Sequence, residues 1–226
     1  MAIITFNPKK RIVSKEVLRL INKYKNMTDL VVSFGGDGTL LGAEEKYPGV
    51  PKIAFRISSI CSKCTHRIIN DQLFDSICKG KIKPREYSKI CLNYGKIQRS
   101  VLNEFNIKSE DPRSTIRFKY KIFPTTKFSE NIDVLADGLV ISTAFGSTGY
   151  FKSIARTIFE KGIGIATNNA FEQHNNKVVS ENSIIQVRIT RGPAILYCDN
   201  QKEYLKLNSD DEIEIKTCKS KAYIFD

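Results

Sequence analysis

Tryptophan is absent from the sequence, while Lys, Ile and Asn are abundant. That bias fits an AT-rich coding sequence and says nothing of activity. No stretch approaches the ~18 apolar residues that a membrane helix needs. The first residues, Met1-Ala2-Ile3-Ile4-Thr5-Phe6, lack the basic region and cleavage site of a signal peptide. A cytoplasmic location without a membrane partner is therefore the expectation. The formal net charge is +12, yet no dense Lys/Arg block occurs. The excess suits a solvated basic surface or attraction to phosphorylated ligands, and no nucleic-acid partner is expected. Only two histidines are present, His66 and His174, and their spacing marks no catalytic dyad. Ser147 lacks the setting of a nucleophile elbow. Internal repeats, low-complexity tracts and long linkers are also missing.

The 226 residues suffice for one large domain or two small ones. Hydrophobic residues make up 41% and charged residues 27%, ordinary values for a globular chain. The first part alternates strand and helix. Ala2 to Phe6, Leu30 to Phe34 and Lys52 to Ile57 read as strands. Helices are expected after a Ser14 cap, with Val17, Leu18, Ile21 and Tyr24 on one face, then after Thr39, and over Asp71 to Cys78. This predicts a parallel, Rossmann-like α/β sheet. Near Pro84 the pattern turns to strands. Tyr87 to Tyr94 and Lys96 to Ile107 read as two strands around Tyr94-Gly95. Thr115 to Phe123 alternates, with Ile116, Phe118, Tyr120 and Ile122 opposed to Arg117, Lys119 and Lys121. Strands are expected at 132–135, 138–143, 184–190, 194–198, 204–207, 212–216 and 222–225, with a short helix near 153–160. The expected domains are 1–83, α/β, and 84–226, β-rich and β-sandwich-like. The last residues could pack back on the first.

The chemistry begins at Gly35-Gly36-Asp37-Gly38-Thr39, directly after an apolar strand. Glycines at a strand end let a backbone approach phosphate, and a following helix N-terminus presents N–H groups to it. The loop lacks both the Lys-Ser/Thr of a Walker loop and the spacing of a dinucleotide fingerprint. Asp37 in such a loop has two available jobs: holding Mg²⁺ or taking a proton from an attacking hydroxyl. The plainer alternative is a tight turn. Asn103-Glu104 offers an amide for a base edge and a carboxylate for ribose hydroxyls, or simply a solvent-facing pair. Asp137 and the turn Gly146-Ser147-Thr148-Gly149-Tyr150 bracket a strand and make a plausible nucleoside site.

In this order, Gly-Gly-Asp-Gly-Thr, Asn-Glu and Asp-Gly-(six residues)-Gly-Ser-Thr-x-Tyr resemble the NAD kinases. The segments 188–194 and Cys198-Asp199-Asn200-Gln201 look like that family's late strands and turn. Diacylglycerol and sphingosine kinases share the first loop and generally lack the other two motifs. The resemblance covers roughly residues 30–226. It implies phosphorylation of the 2′-hydroxyl of the adenosine ribose of NAD, with ATP or polyphosphate as donor and Mg²⁺ or another divalent cation. It implies Asp37 as general base, Gly35, Gly36, Gly38 and Thr39 as the phosphate loop, and Asp37, Gly38, Asn103, Glu104, Asp137, Thr148, Gly149, Tyr150 and Ser153 as NAD contacts. A homodimer or homotetramer is implied as well.

One segment departs from the pattern. The family's second glycine loop, Gly-Ile-Asn-x-Gly-x-Leu-Gly-Phe-Leu, is replaced by Ala54-Phe55-Arg56-Ile57-Ser58-Ser59-Ile60-Cys61-Ser62-Lys63. Arg56 could contact phosphate there or serve the structure. No protein ligand to a metal is assigned. Cys61-Ser62-Lys63-Cys64 is half of a zinc motif that Cys78 or Cys91 could complete, a redox-active pair, or ordinary reduced thiols. The alternatives to an NAD kinase are a kinase for another small molecule or lipid, and a non-catalytic nucleotide-binding relative.

Overall fold

The computed structural model describes residues 2–6, 15–24, 26–27, 29–56, 61, 63, 64, 71–123, 131–172 and 176–226. The Ser14 cap, Ile57 to Ile60, Ser62, His66 and His174 lie outside them. The chain divides into two compact units, Met1–Tyr87 with Lys221–Asp226, and Ser88–Ser220. Among the described residues no helix is long and apolar enough to cross a membrane.

The first unit contains β1 (Ala2–Phe6), α1 (Lys15–Tyr24), β2 (Leu30–Gly35), α2 (Asp37–Lys46), β3 (Lys52–Arg56) and α3 (Asp71–Cys78). β2 pairs in parallel with β1 on one side and β3 on the other. The last residues of the chain add a further parallel strand, pairing Ile224 with Lys52 and Phe225 with Ile53. β2 is buried along its whole length, as the near-continuous apolar run of a parallel strand requires. Leu20 and Tyr24 of α1 and Phe74 and Ile77 of α3 pack on the face made by Leu30, Val32, Phe34, Ile53 and Phe55. Within that core Tyr24, Phe74, Phe55 and Phe34 form a stacked series, with centroids 5.6, 6.3 and 5.4 Å apart. The face expected of α1 is corrected: Leu18 is exposed, and Leu20 takes the core position beside Tyr24.

Strands dominate the second unit: β4 (Arg85–Tyr94), which starts in the first unit, β5 (Ile97–Val101), β6 (Glu104–Ser109), β7 (Ile116–Phe123), β8 (Ile132–Ala136) and β9 (Gly138–Thr143). A 3₁₀ turn (Gly146–Thr148) and α4 (Tyr150–Ala155) follow. Then come β10 (Ile163–Asn168), β11 (Lys177–Val179), β12 (Ile184–Arg191), β13 (Ala194–Cys198), β14 (Tyr204–Leu207) and β15 (Glu212–Phe225), which ends in the first unit. One sheet runs β15-β12-β7-β8, with the β4–β5 hairpin joined to β15, and the other runs β11-β10-β9-β6-β13-β14. Inward residues of both sheets share one core, including Phe118, Val187 and Ile213 from the first and Phe105, Ile141 and Ile165 from the second. This is the layering of a β-sandwich. β7 alternates as its sequence does, with Ile116, Phe118 and Tyr120 buried and Arg117, Lys119 and Lys121 exposed.

β9 is buried on both faces because α4 covers its outer side, where Phe151 packs on Val140 and Ala166. Gly164 makes room for that cover: a Cβ there would lie 2.5 Å from Phe159 and 2.7 Å from Phe151. α4 ends at Ala155, earlier than the expected 153–160 helix, with Arg156 in the left-handed region. β10 and β11 were not expected from sequence. The run 96–107 is not one strand, because it breaks at Leu102-Asn103 between β5 and β6. The thiol expectation is also corrected. Cys91 and Cys218 form a disulfide, since β4 and β15 are neighbours in the sheet. Cys61, Cys64, Cys78 and Cys198 are not in disulfides.

Candidate functional site

In the first unit the glycine loop sits where β2 hands over to α2. Gly36 is the residue before the helix and Asp37 is its first residue, so the carboxylate lies at the positive end of the helix dipole. The N–H of Thr39 closes back on the Gly36 carbonyl at 2.9 Å. Register pairs Gly35 with Arg56, which places both at the carboxyl ends of parallel strands, where ligands gather in open α/β sheets. Asp37 Oδ1 accepts the Lys63 backbone N–H at 2.9 Å and the Cys61 thiol at 2.9 Å. The Cys64 Sγ is 3.9 Å from the same oxygen, and its backbone N–H donates to the Cys61 sulfur at 3.2 Å. Burial, then the Cys61 sulfur, push the Cys64 thiol up well beyond the ordinary range. Cys61 and Lys63, from the segment standing in for a second glycine loop, thus meet Asp37. Neither expected partner of the Cys-x-x-Cys pair joins it: Cys91 is bonded to Cys218, and the group around the pair contains Asp37 instead of Cys78.

In the second unit the break between β5 and β6 is held open by Asp199. Its carboxylate accepts the N–H groups of Leu102, Asn103 and Glu104 at 2.8, 2.8 and 2.9 Å. These three donors are drawn away from a strand ladder, which is why the strand stops. Burial pushes the Asp199 carboxyl up to about 6, opposed by those three N–H groups. On the other side Thr143 donates its hydroxyl to Leu102 O at 2.6 Å and its N–H to Asn103 O at 2.9 Å. Thr143 Oγ1 also accepts the Gly146 N–H at 2.9 Å. The backbone of 102–104 is therefore gripped from both sides. Gly146 abuts it so closely that a Cβ would stand 2.3 Å from Asn103 O. A Cβ on Gly149 would lie 3.6 Å from Glu104 Oε2 and 3.8 Å from Asn103 Nδ2, so these side chains face the turn. Asn103 Oδ1 and Thr148 Oγ1 are buried and have no hydrogen-bond partner among the described residues.

A second group adjoins β10. Asp137 accepts from Asn169 Nδ2 at 2.9 Å, and the Tyr150 hydroxyl accepts from Asn168 Nδ2 at 3.3 Å. Ser153 turns its hydroxyl back to Tyr150 O at 2.7 Å. Ser153, Arg156, Thr167, Asn168, Asn169 and Asn176 are among the residues lining an open recess of about 290 Å³. Ser147 is buried and donates to Phe159 O at 3.1 Å, a packing role. Sequence reasoning missed Thr143, Asn168, Asn169 and the clamp at Asp199. The Asp199-Asn200 turn was the one available signal for the clamp.

Residues 102–226, which hold the clamped pair, the turn and the clamp itself, match the family model of the ATP-NAD kinase C-terminal domain. The chain belongs to the NAD kinase family. It is 27% identical to the bifunctional NADP phosphatase/NAD kinase of Methanocaldococcus jannaschii, over 85% of this chain and 35% of that protein. With the homologous bifunctional enzyme of Methanococcus maripaludis it shares 28% identity over 97% of this chain and 40% of that one. NAD kinase 1 of Bacillus subtilis is 28% identical over 68% of this chain and 60% of its own length. The chain thus spans well under half the length of the two bifunctional relatives. The fold is the two-domain fold of NAD kinases. An ATP complex of the Archaeoglobus fulgidus NAD kinase superposes with a TM-score of 0.78 at 20% identity, covering 100% of this chain and 93% of that one. Yeast NADH kinase with NADH superposes with a TM-score of 0.84 at 16% identity, covering 99% and 82%.

Proposed function

We propose that this chain is an ATP-dependent NAD kinase, transferring the γ-phosphoryl group to the 2′-hydroxyl of the adenosine ribose of NAD. The observation that carries the reading is a pair of buried oxygens without partners among the described residues, Asn103 Oδ1 on the backbone clamped by Asp199 and Thr143, and Thr148 Oγ1 in the adjoining turn. A buried polar atom left unsatisfied costs about 1–3 kcal/mol, and a nucleoside that hydrogen-bonds there offsets that cost. Asn103 reads the base or the ribose edge, and Glu104 accepts from ribose hydroxyls. Asp137, Tyr150 and Ser153 flank the dinucleotide, with Asn168 and Asn169 holding the first two in place. Gly149 adds a surface without a side chain.

The Gly35 to Thr39 loop handles the donor phosphates with its backbone N–H groups and the α2 N-terminus. Arg56 is beside it in register and supplies a guanidinium for a phosphate oxygen. Asp37 takes the proton of the attacking hydroxyl. Mg²⁺ prefers oxygen ligands and usually keeps waters and phosphate oxygens beside one or two carboxylates. The ion would therefore be held by the donor phosphates and water and would neutralise charge on those phosphates, while the Asp37 carboxylate is kept for the proton. Phosphoryl transfer requires little else of the protein than positioning and electrostatics. A cytoplasmic location and a homodimer or homotetramer belong to the same proposal.

The test is NADP formation by purified protein with ATP, Mg²⁺ and NAD. Asp37→Asn should lower kcat by about 10²–10⁴-fold with NAD affinity within a few-fold of wild type. Unchanged turnover would remove Asp37 from the chemistry. A second reading, a nucleotide-binding relative without catalysis, is favoured by the contacts that Cys61 and Lys63 make to Asp37 Oδ1. It predicts NAD binding without any NADP.

A further inference from the structure

We propose that Asp37, Cys61 and Cys64 form a binding site for a thiophilic divalent cation, with Zn²⁺ as the fitting ion. One donor atom from each of the three residues lies within 4.8 Å of the other two. From bond lengths of about 2.3 Å to sulfur and about 2.0 Å to oxygen, a tetrahedral Zn²⁺ sets its S and O ligands about 3.5 Å apart. The two observed S···O separations, 2.9 and 3.9 Å, bracket that value. Small side-chain rotations suffice to equalise them. Two thiols and one carboxylate select Zn²⁺ over Mg²⁺, which prefers a shell of oxygens.

The surroundings of the three donors also support a metal centre. The Lys63 N–H holds the Asp37 oxygen and the Cys64 N–H points at the Cys61 sulfur. Hydrogen bonds of this kind orient first ligands and stabilise their anionic forms. Cys64 is buried and Cys61 partly exposed, so the ion has a route in and a shielded anchor. Three protein ligands leave the fourth tetrahedral position to water or to a phosphate oxygen. Binding releases the thiol protons as the ion replaces them.

Asp37 is also the base of the proposed kinase reaction. A cation bound to its carboxylate removes that base, so Zn²⁺ occupancy and phosphoryl transfer exclude each other. This consequence rests on the kinase reading, whereas the site itself does not.

The experiment is Zn²⁺ titration of the reduced chain against a chromophoric chelator, with Co²⁺ as spectroscopic probe. The expected result is one equivalent of Zn²⁺ bound at sub-micromolar Kd, and a Co²⁺ complex with sulfur-to-metal charge-transfer absorption in the near ultraviolet. Cys61→Ser with Cys64→Ser should weaken Zn²⁺ binding at least 100-fold and abolish that band. Asp37→Asn should weaken binding about 10-fold and keep the band. Absence of stoichiometric Zn²⁺ binding by the reduced wild type overturns the site. So does equal affinity in a folded double-serine variant, or a Co²⁺ spectrum lacking the sulfur band. The wild-type spectrum needs no variant to fold. A chain that binds Zn²⁺ but, stripped of it and supplied with ATP, Mg²⁺ and NAD, makes no NADP upholds the site and removes the kinase reading, and the converse result does the opposite. If both hold, Zn²⁺ should inhibit NADP formation and EDTA followed by excess Mg²⁺ should restore it.

Discussion

Gly146→Ala tests the link between the turn and the Asn103-Glu104 pair. The added Cβ would stand 2.3 Å from Asn103 O, 2.6 Å from its carbonyl carbon and 2.7 Å from its Cα. Heavy atoms separate to about 3.5 Å at optimum, so about 1 Å of overlap must be relieved. All three atoms are backbone, and no rotamer change can move them. That backbone is tied to Thr143 through Leu102 O and Asn103 O, and Thr143 in turn accepts the Gly146 N–H. Overpacking of this kind costs about 1–3 kcal/mol, and one of these bonds lost adds about 1 kcal/mol. A loss of about 3 kcal/mol follows, and at 2–4 °C per kcal/mol the Tm falls by roughly 6–12 °C. NAD affinity should fall about 10-fold or more, because one displaced polar contact is worth about that factor. Gly149→Ala is the paired control. Its Cβ would meet Gly146 O at 3.2 Å, which a shift of a few tenths of an ångström relieves. Differential scanning fluorimetry with and without NAD measures both variants. A Gly146→Ala protein with wild-type Tm and NAD affinity would refute the reasoning, as would an equal fall in Tm from Gly149→Ala.

Lys52 and Glu44 are an ion pair with relative side-chain exposures of 0% and 3% at 2.5 Å, and Lys52 also donates to Tyr47 O and Val50 O. Lys52→Met should cost about 3–5 kcal/mol by stranding a buried carboxylate. Adding Glu44→Leu should recover part of it in urea unfolding; a single variant within 0.5 kcal/mol of wild type counts against this. Asp199, raised to about 6 in the folded chain, gives stability that is fully present below about pH 4 and is lost as pH rises through 6. At about 1.4 kcal/mol per pH unit, wild type should lose roughly 3 kcal/mol relative to Asp199→Asn between pH 4 and 7. A difference that is flat, or that grows with pH, would mean that the three N–H donors outweigh burial. The Cys91–Cys218 disulfide spans 127 residues, and chain entropy assigns about 5 kcal/mol to a loop of that length. Cys91→Ala with Cys218→Ala should lower the Tm by roughly 10–20 °C, and an unchanged Tm would show that the bridge constrains little.

Some of the architecture could be read directly from residue patterns. The Leu30 to Phe34 run into glycines gave a buried strand and a loop, because a strand covered on both faces must be apolar throughout. The alternation of Thr115 to Phe123 gave a one-sided strand for the complementary reason. Local patterns failed where a distant group supplied the decisive interaction. Lys96 to Ile107 has unbroken strand character, and it stops at Leu102 because a carboxylate ninety-odd positions away takes its N–H groups. Leu18 and Leu20 are both apolar on α1, and only the packing on Phe74 and Phe55 decides between them. β10 follows directly on Gly162, carries Gly164 near its start and shows little periodicity. Its strand state follows from pairing with β9 and from the aromatic cover over Gly164.

The sequence by itself determined the chemical vocabulary: a carboxylate among glycines, an amide beside a carboxylate, and a hydroxyl-rich glycine turn, in the order that the NAD kinases use. These are local facts, since each motif is a few adjacent residues whose side chains carry their own chemistry. Only tertiary structure decided which groups meet. It set Asp199 and Thr143 on either side of Asn103, fitted Gly146 against a backbone that tolerates no Cβ, and brought Cys61 and Cys64 to Asp37. Such meetings depend on strand register and on loops closing over tens of residues. Neither is encoded in the spacing of a motif.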